Sequence, residues 1–165
     1  MKIRVAILTI SDKGSAGLRE DKSGPAIQES LGGIEHEVIW YGIVPDEQKE
    51  IESQLKILCD ELDANVVLTT GGTGLAPRDV TPEATMAVAQ KVVPGISEAM
   101  RVQCAEKAPC SMLSRGVSVT RGSTLIVNMP GSPKAVRECM EILLPVLNHA
   151  AELLKGTVSE CAGPV

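Results

Sequence analysis

The strongest constraint on the fold is a short apolar segment near the start of the chain, IRVAILTI at residues 3–10. The segment is nearly unbroken and rich in β-branched residues. A run of this kind is typical of a strand that is buried on both faces, as the strands of a parallel sheet are. It therefore predicts a sheet that is covered by helices on both sides.

The rest of the chain alternates strand-like and helix-like segments. Residues 11–24 are interpreted as a loop, and Thr81-Pro82 as the N-cap and first position of a helix. The order predicts an α/β fold with three α/β/α layers, in which a hairpin adds one antiparallel strand to a mostly parallel, doubly wound sheet. We expect a single domain over residues 1–165, with the last nine residues frayed. Strands are predicted at 37–44 and 66–70, the hairpin at 117–120 and 124–129, and helices at 25–31, 47–62, 81–92, 96–105 and from 133 to Gly156, with Pro145 bending or restarting the last one.

Composition excludes several classes of function. A net charge of -5 and only two aromatic residues, Trp40 and Tyr41, argue against nucleic acid as a partner. Five cysteines without a CxxC spacing are typical of reduced thiols in a cytosol. The two histidines, His36 and His149, stand alone and are assigned structural or surface roles. Neither an export signal nor a membrane span is recognisable, so we expect a cytoplasmic protein without a membrane partner.

Polar segments follow four of the predicted strands. Ligands of open parallel sheets bind beyond the carboxyl ends of the strands, so we expect these segments to meet at one rim of the sheet. They are residues 11–13, 45–46, 69–74 and 128–133.

The glycine-rich segment TTGGTG at residues 69–74 is the most informative of the four. Glycines allow positive φ angles and let backbone N–H groups approach an anion, which favours phosphate binding. The segment is not a P-loop, because no Gly-Lys-Ser/Thr follows, and Pro77 stands where a dinucleotide fingerprint needs its third glycine. A tight turn between a strand and a helix is the alternative interpretation.

Asp46 and Asp79 are the candidate metal carboxylates. Each follows a predicted strand end, and Mg²⁺ takes one or two protein carboxylates together with water and phosphate oxygens. Asp46 could instead cap the helix that begins at Glu47, and Asp79 could pair with Arg78 or a neighbouring loop. Ser132 could cap a helix, contact a phosphate, or do both.

Two motifs together resemble the signature of the MogA/MoaB family, which includes the G domain of gephyrin. They are TTGGTG at residues 69–74 and PRDVTPEA at residues 77–84. The first is shared with CinA-type and MoeA-type domains, whereas the second is far more specific. Shorter matches occur in the family's order over nearly the whole chain, at residues 11–13, 45–47, 94–95, 113–115 and 128–133.

The resemblance implies that the chain transfers AMP from ATP to the terminal phosphate of molybdopterin and releases pyrophosphate. It also implies Mg²⁺ as cofactor, a homotrimer, and a downstream protein that inserts molybdenum. Asp46 and Asp79 match the family's catalytic and metal-binding carboxylates. The nucleotide and pterin phosphates are expected at Ser11, Asp12, Thr70, Gly71, Gly72, Thr73, Gly74, Asn128, Pro130, Gly131 and Ser132, and the pterin side at Glu98, Ser114 and Arg115.

Two other functions stay open at this point. A non-catalytic relative could bind molybdopterin or serve as a scaffold, although the chain keeps both aspartates and the complete glycine loop. A CinA-type nucleotide hydrolase is the second alternative, and the Pro-Arg-Asp segment argues against it.

Overall fold

A computed structural model describes residues 1–157 of the chain. Most of the segment expected to be frayed, residues 158–165, lies outside the described residues. The strands are β1 (Ile3–Ile10), β2 (His36–Val44), β3 (Val66–Thr70), β4 (Lys91–Val92), β5 (Ser118–Arg121) and β6 (Thr124–Met129). The α-helices are α1 (Asp12–Ser15), α2 (Ser23–Ser30), α3 (Gln48–Lys56), α4 (Thr81–Val88), α5 (Pro94–Ala105) and α6 (Pro133–Leu154). Short 3₁₀-helices lie at Leu31–Gly33 and Pro109–Leu113, and a π-helical turn at Ile57–Glu61 extends α3.

The six strands form one sheet in the order β2-β1-β3-β6-β5-β4. The four strands β2, β1, β3 and β6 are parallel, and β5 runs antiparallel to both of its neighbours. The predicted α/β architecture, with a mostly parallel sheet and one antiparallel strand from the β5–β6 hairpin, is therefore confirmed.

Alternating side chains of the central strands point to opposite faces of the sheet, as the two-residue repeat of a strand requires. Ile3, Val5 and Ile7 pack in a core beneath α2, α5 and α6. Ala6 and Leu8 pack in a second core beneath α3 and α4. Both faces of β1 are thus buried, which explains the unbroken apolar run.

Two local predictions are wrong. The helix that begins at Thr81 ends at Val88 instead of Val92, because Lys91 and Val92 pair with β5 as an edge strand. The segment from 11 to 24 contains α1 and the start of α2 in addition to the loop. Of the two outcomes predicted at Pro145, a bend or a restart, the restart does not occur: α6 is one helix through Pro145, and it ends just before Gly156 as expected.

Within residues 1–157, no helix combines the length and the apolar character that crossing a bilayer requires.

Candidate active site

The carboxyl ends of the parallel strands meet at one rim, and backbone hydrogen bonds join them there. The N–H of Ser11 donates to Val44 O at 2.9 Å, which links the ends of β1 and β2. The N–H of Gly71 donates to Met129 O at 3.1 Å, and the Thr70 hydroxyl donates to Pro130 O at 2.6 Å. The structure therefore brings together the four polar segments that the sequence placed at strand ends.

The loop Gly71–Gly74 is held in a conformation that requires glycine at two positions. Gly71 and Gly72 have φ angles of +98° and +67°. A Cβ on Gly71 would overlap the carbonyl oxygen of Ile10, and a Cβ on Gly72 would overlap the hydroxyl of Thr81. The loop thus passes directly against the end of β1 and the start of α4.

Thr81 closes this loop and does not cap α4 as predicted. It is the first residue of the helix, and Val80 occupies the N-cap position. The Thr81 hydroxyl donates to Gly71 O at 2.9 Å, and the Thr81 N–H donates to Gly72 O at 3.1 Å. Two carbonyl oxygens of the loop are thereby occupied, which turns the loop's peptide groups in a fixed direction.

Asp46 and Asp12 are joined by a reciprocal pair of hydrogen bonds. The N–H of Asp12 donates to Asp46 Oδ2 at 2.9 Å, and the N–H of Asp46 donates to Asp12 Oδ1 at 3.1 Å. The alternative interpretation of Asp46 as a helix cap is wrong, because Glu47 occupies the N-cap position of α3. Burial and the negative charges of Asp12 and Asp79 raise the pKa of Asp46 against the opposing effects of the Asp12 N–H and Arg78.

Asp79 lies beneath the glycine loop. Its Oδ2 accepts the N–H of Ala76 at 3.0 Å, and a Cβ on Gly74 would lie 2.8 Å from the same oxygen. The suggested pair between Asp79 and Arg78 does not form, because the Arg78 guanidinium contacts Asp12 and Glu47 instead. Asp46 lies close to this loop as well, with Oδ1 3.2 Å from the position of a Cβ on Gly72.

Arg115 holds the glycine loop and the Asp79 turn together. Its Nε donates to Gly74 O at 2.8 Å, and its Nη2 donates to Asp79 O at 2.6 Å. Its Nη1 pairs with Glu83, and this hydrogen bond lowers the pKa of the Glu83 carboxyl. Composition alone predicts only a surface charge at Arg115, because these contacts span more than 30 residues of the chain.

Two cavities open on either side of the turn that precedes α6, and Gly131 and Ser132 line both of them. The larger, which we call the β1 cleft, has a volume of about 750 Å³, and the smaller, the α6 cleft, about 480 Å³. The β1 cleft is also lined by Thr9, Ile10, Ser11, Gly14, Arg19, Glu20, Asp21, Lys22, Ser23, Thr70, Gly71 and Pro133. The α6 cleft is also lined by Gly72, Thr73, Gly74, Asp79, Ala108, Cys110, Ser111, Leu113, Ser114, Pro130, Lys134, Ala135 and Glu138.

Apart from Asp79, sequence reasoning missed the charged residues of both clefts. Arg19 and Lys22 come from a polar loop without periodicity, and Lys134 and Glu138 come from the first turns of α6. The signal that could have found the second pair is the helical spacing of four residues, which places two side chains on one face.

Asp21 fixes the wall of the β1 cleft. Its Oδ2 accepts the hydroxyls of Thr9 and Tyr41, both at 2.6 Å, and its Oδ1 accepts the N–H groups of Ser23 and Gly24. Burial acts to raise the pKa of Asp21, but these four hydrogen bonds outweigh it, and the pKa lies below its usual value. The carboxylate is therefore a structural element of the cleft.

The remaining candidate residues differ in their positions. Ser132 caps α6 by accepting the N–H of Ala135 at 3.1 Å, while Ser11 accepts the N–H of Gly14 at the start of α1. Asn128 is buried beneath the rim, where its amide contacts the hydroxyls of Thr69 and Thr85. Glu98 lies on the exposed side of α5 and lines neither cleft.

The oxygen ligands at the rim are of the kind that hard divalent cations prefer. In the part of the chain that the structure describes, no group of three or more His, Cys, Asp or Glu side chains is arranged to hold a metal ion. A cation at Asp46 and Asp79 would therefore need further oxygens from water or a bound phosphate.

The fold and the rim define a class of protein: an α/β domain with a glycine loop, a helix N-terminus and paired carboxylates at the carboxyl ends of its parallel strands. Residues 6–149 match the family described as a probable molybdopterin binding domain. The chain belongs to this family, in its MogA/MoaB branch.

Individual relatives agree with this assignment. A molybdopterin adenylyltransferase of Helicobacter pylori is 44% identical over 156 residues, which cover 93% of this chain and 89% of that protein. A protein of the same name from Escherichia coli is 44% identical over 144 residues, covering 84% of this chain and 72% of the relative. The crystal structure of the molybdopterin biosynthesis enzyme MoaB from Thermus thermophilus superimposes with a TM-score of 0.89 at 51% identity, covering 93% of this chain and 97% of that one.

Proposed function

We propose that this protein acts in molybdenum cofactor biosynthesis, where it transfers AMP from ATP to the terminal phosphate of molybdopterin and releases pyrophosphate. The relatives named molybdopterin adenylyltransferase, at 44% identity and with high coverage, support this activity. The structural observation that carries the proposal is the pair of clefts that share Gly131 and Ser132 beside the glycine loop. Two phosphorylated substrates that enter from opposite sides would meet at this shared turn.

We assign ATP to the β1 cleft. Its larger volume suits a nucleotide, and its cationic side chains, Arg19 and Lys22, suit a polyphosphate. Neither of these side chains takes part in an ion pair within residues 1–157, so both are available to a ligand. The N-terminus of α6, a helix of 22 residues, lies at the same place, and the positive end of its dipole favours an anionic ligand there.

We assign molybdopterin to the α6 cleft. Apolar side chains such as Leu113, Pro130 and Ala135 provide a wall for the fused rings, and Ser114 and Glu138 provide hydrogen-bonding groups. Lys134 is the second residue of α6, where the terminal phosphate would reach. Arg115 acts on this side by holding the backbone, since each of its three guanidinium nitrogens already donates a hydrogen bond within the protein.

The reaction joins two anionic groups, and the site lowers the electrostatic cost of their approach. A terminal phosphate oxygen of molybdopterin attacks the α-phosphorus of ATP, and the bond from that phosphorus to the pyrophosphate oxygen breaks. The backbone N–H groups of Gly72, Thr73 and Gly74 and the positive end of the α6 dipole bind the phosphates and orient them for in-line transfer. Because both substrates can bind side by side, the transfer is direct and needs no covalent enzyme intermediate.

Asp46 and Asp79 are the residues that would hold Mg²⁺. The donor set fits this ion, since Mg²⁺ accepts one or two carboxylates and completes its octahedron with water and phosphate oxygens. When bound, Mg²⁺ neutralises phosphate charge. The half-buried position of Asp46 and the hydrogen bond from Ala76 to Asp79 keep both carboxylates aimed at the glycine loop.

We further propose that the protein is a cytoplasmic homotrimer and passes its product to a molybdenum-insertion protein. Largely exposed apolar side chains at Leu75, Val102 and Met112 suit contacts between subunits. The adenylylated product contains no metal, so the next reaction in the sequence must supply one. Light scattering of the purified protein should give three times the 17.4 kDa mass of the chain, and a monomer or dimer mass would contradict the trimer.

The function is tested by incubating the protein with ATP labelled at the α-phosphate, Mg²⁺ and purified molybdopterin. We expect label in the pterin product and one pyrophosphate released per product. Binding of molybdopterin without label transfer would instead establish a non-catalytic relative. Label retained on the protein would refute direct transfer between the two substrates.

A further inference from the structure

Arg78 connects three loops of the candidate site. It lies in the loop that precedes α4, and its guanidinium reaches the segments that follow β1 and β2. Its Nε donates to Asp12 Oδ2 at 2.6 Å and its Nη2 to Asp12 Oδ1 at 3.0 Å. The same Nη2 donates to Glu47 Oε1 at 2.7 Å.

Asp12, which binds Arg78 in a bidentate manner, also contacts Asp46. Asp12 exchanges two hydrogen bonds with Asp46, one through each backbone N–H. Two carboxylates this close repel each other unless a cation offsets their charge. Among residues 1–157, Arg78 is the cationic side chain that contacts this pair, so the orientation of Asp46 depends on Asp12 and, through it, on Arg78.

The position of Asp79 depends on the same arginine through the backbone. Arg78 is its neighbour in the chain, and anchoring the Arg78 side chain to Asp12 and Glu47 restricts the turn that carries Asp79. Arg115 holds the other side of that turn through Asp79 O. The Arg78 contacts therefore set the spacing between the loop of Asp46 and the turn of Asp79.

We propose that Arg78 is a positioning residue for adenylyl transfer, which holds the carboxylates of Asp46 and Asp79 in their relative positions by acting through Asp12. The inference rests on the proposed function. A lysine cannot replace the arginine, because a single ammonium group cannot bind one carboxylate with two parallel hydrogen bonds and reach Glu47 as well.

The test compares Arg78→Ala and Arg78→Lys with wild type in the labelled-ATP assay. A misplacement of about 1 Å can reduce catalysis by roughly 100-fold, so we expect a loss of kcat near that size in both variants, with little change in KM for ATP. Because the Arg78 side chain is 56% exposed, guanidinium ion should restore part of the kcat of Arg78→Ala. Unchanged kcat, or a higher KM for ATP at unchanged kcat, would overturn the positioning role.

A double-mutant cycle with Asp12→Asn tests the route of action. If Arg78 acts through Asp12, Arg78→Ala should lose little further activity in the Asp12→Asn background. Losses that simply multiply would refute the route.

Arg121→Ala is the matched control. Arg121 binds Asp60 with the same bidentate geometry, at 2.9 and 2.6 Å, near the opposite end of β6. The kcat of the Arg121→Ala variant should equal that of wild type.

The proposed function and this inference fail in different ways. If wild type transfers no label, the proposed function is wrong, and crystal structures of wild type and Arg78→Ala then decide the positioning role. Displacement of Asp46 and Asp79 in the variant would support it, and unchanged carboxylates would overturn it.

Discussion

Replacing Gly71 by alanine should destabilise the fold more than a left-handed backbone position alone can explain. Gly71 has a φ of +98°, and its Cβ would overlap the carbonyl oxygen of Ile10. A left-handed conformation costs a non-glycine residue about 1–2 kcal/mol. Overpacking a rigid environment adds roughly 1–3 kcal/mol, and Ile10 cannot move freely because it belongs to the buried strand β1. The expected loss in the free energy of unfolding is therefore about 2–5 kcal/mol.

Gly122→Ala provides the matched control. Gly122 also has a positive φ, +55°, but beyond its two chain neighbours no atom of residues 1–157 lies within 4 Å of the position of its Cβ. Its loss should be the conformational term alone, about 1–2 kcal/mol. Urea titrations followed by circular dichroism would measure both free energies of unfolding by linear extrapolation. Equal losses in the two variants would refute the steric contact between the loop and the end of β1.

Three further predictions concern single side chains. Tyr41 is the only tyrosine of the chain, and burial, together with its hydrogen bond to Asp21, raises its pKa to about 12. The absorbance of its phenolate should therefore titrate near pH 12, and the pKa should be lower in Asp21→Asn. Because this pKa is raised above its unfolded value of 10.0, the associated stabilisation is complete below that pH and is lost as the pH rises towards 12, which alkaline unfolding curves will detect. Asn128→Leu should lower the free energy of unfolding by about 2–4 kcal/mol in urea titrations, because its buried partners lose their hydrogen bonds. Arg115→Lys should lower kcat by roughly 10- to 100-fold with a smaller effect on KM, since lysine cannot hold the carbonyl oxygens of both Gly74 and Asp79. A kcat equal to that of wild type would contradict the proposal that Arg115 holds this turn.

The parallel sheet could be predicted because its strands carry strong local signals. The unbroken apolar runs of β1 and β3 reflect burial on both faces, and the hairpin between β5 and β6 follows from a turn at Gly122. The edge strand β4 was missed because two exposed residues, Lys91 and Val92, show no periodicity, and pairing with β5 alone makes them a strand. Helix α6 does not restart at Pro145, because packing of Leu143 and Leu147 in the core holds the two halves of the helix together.

The candidate site could be located from topology, but the roles of its side chains could not. The carboxyl ends of parallel strands must share a rim, so the glycine loop, Asp46 and Asp79 could be placed there from the sequence. The contacts of Arg78 and Arg115 depend on how distant loops fold over one another, and no local pattern encodes them. The same holds for Asn128, which lies on a strand end but turns its amide into the interior.

The central claim is tested most directly by comparing wild type with Asp79→Asn in adenylyl transfer to molybdopterin. Asp60→Asn is the control, because Asp60 pairs with Arg121 away from both clefts. We expect adenylylated pterin from wild type and from Asp60→Asn, and almost none from Asp79→Asn, which should still bind molybdopterin. No product from wild type, or full activity of Asp79→Asn, would contradict the account of the site.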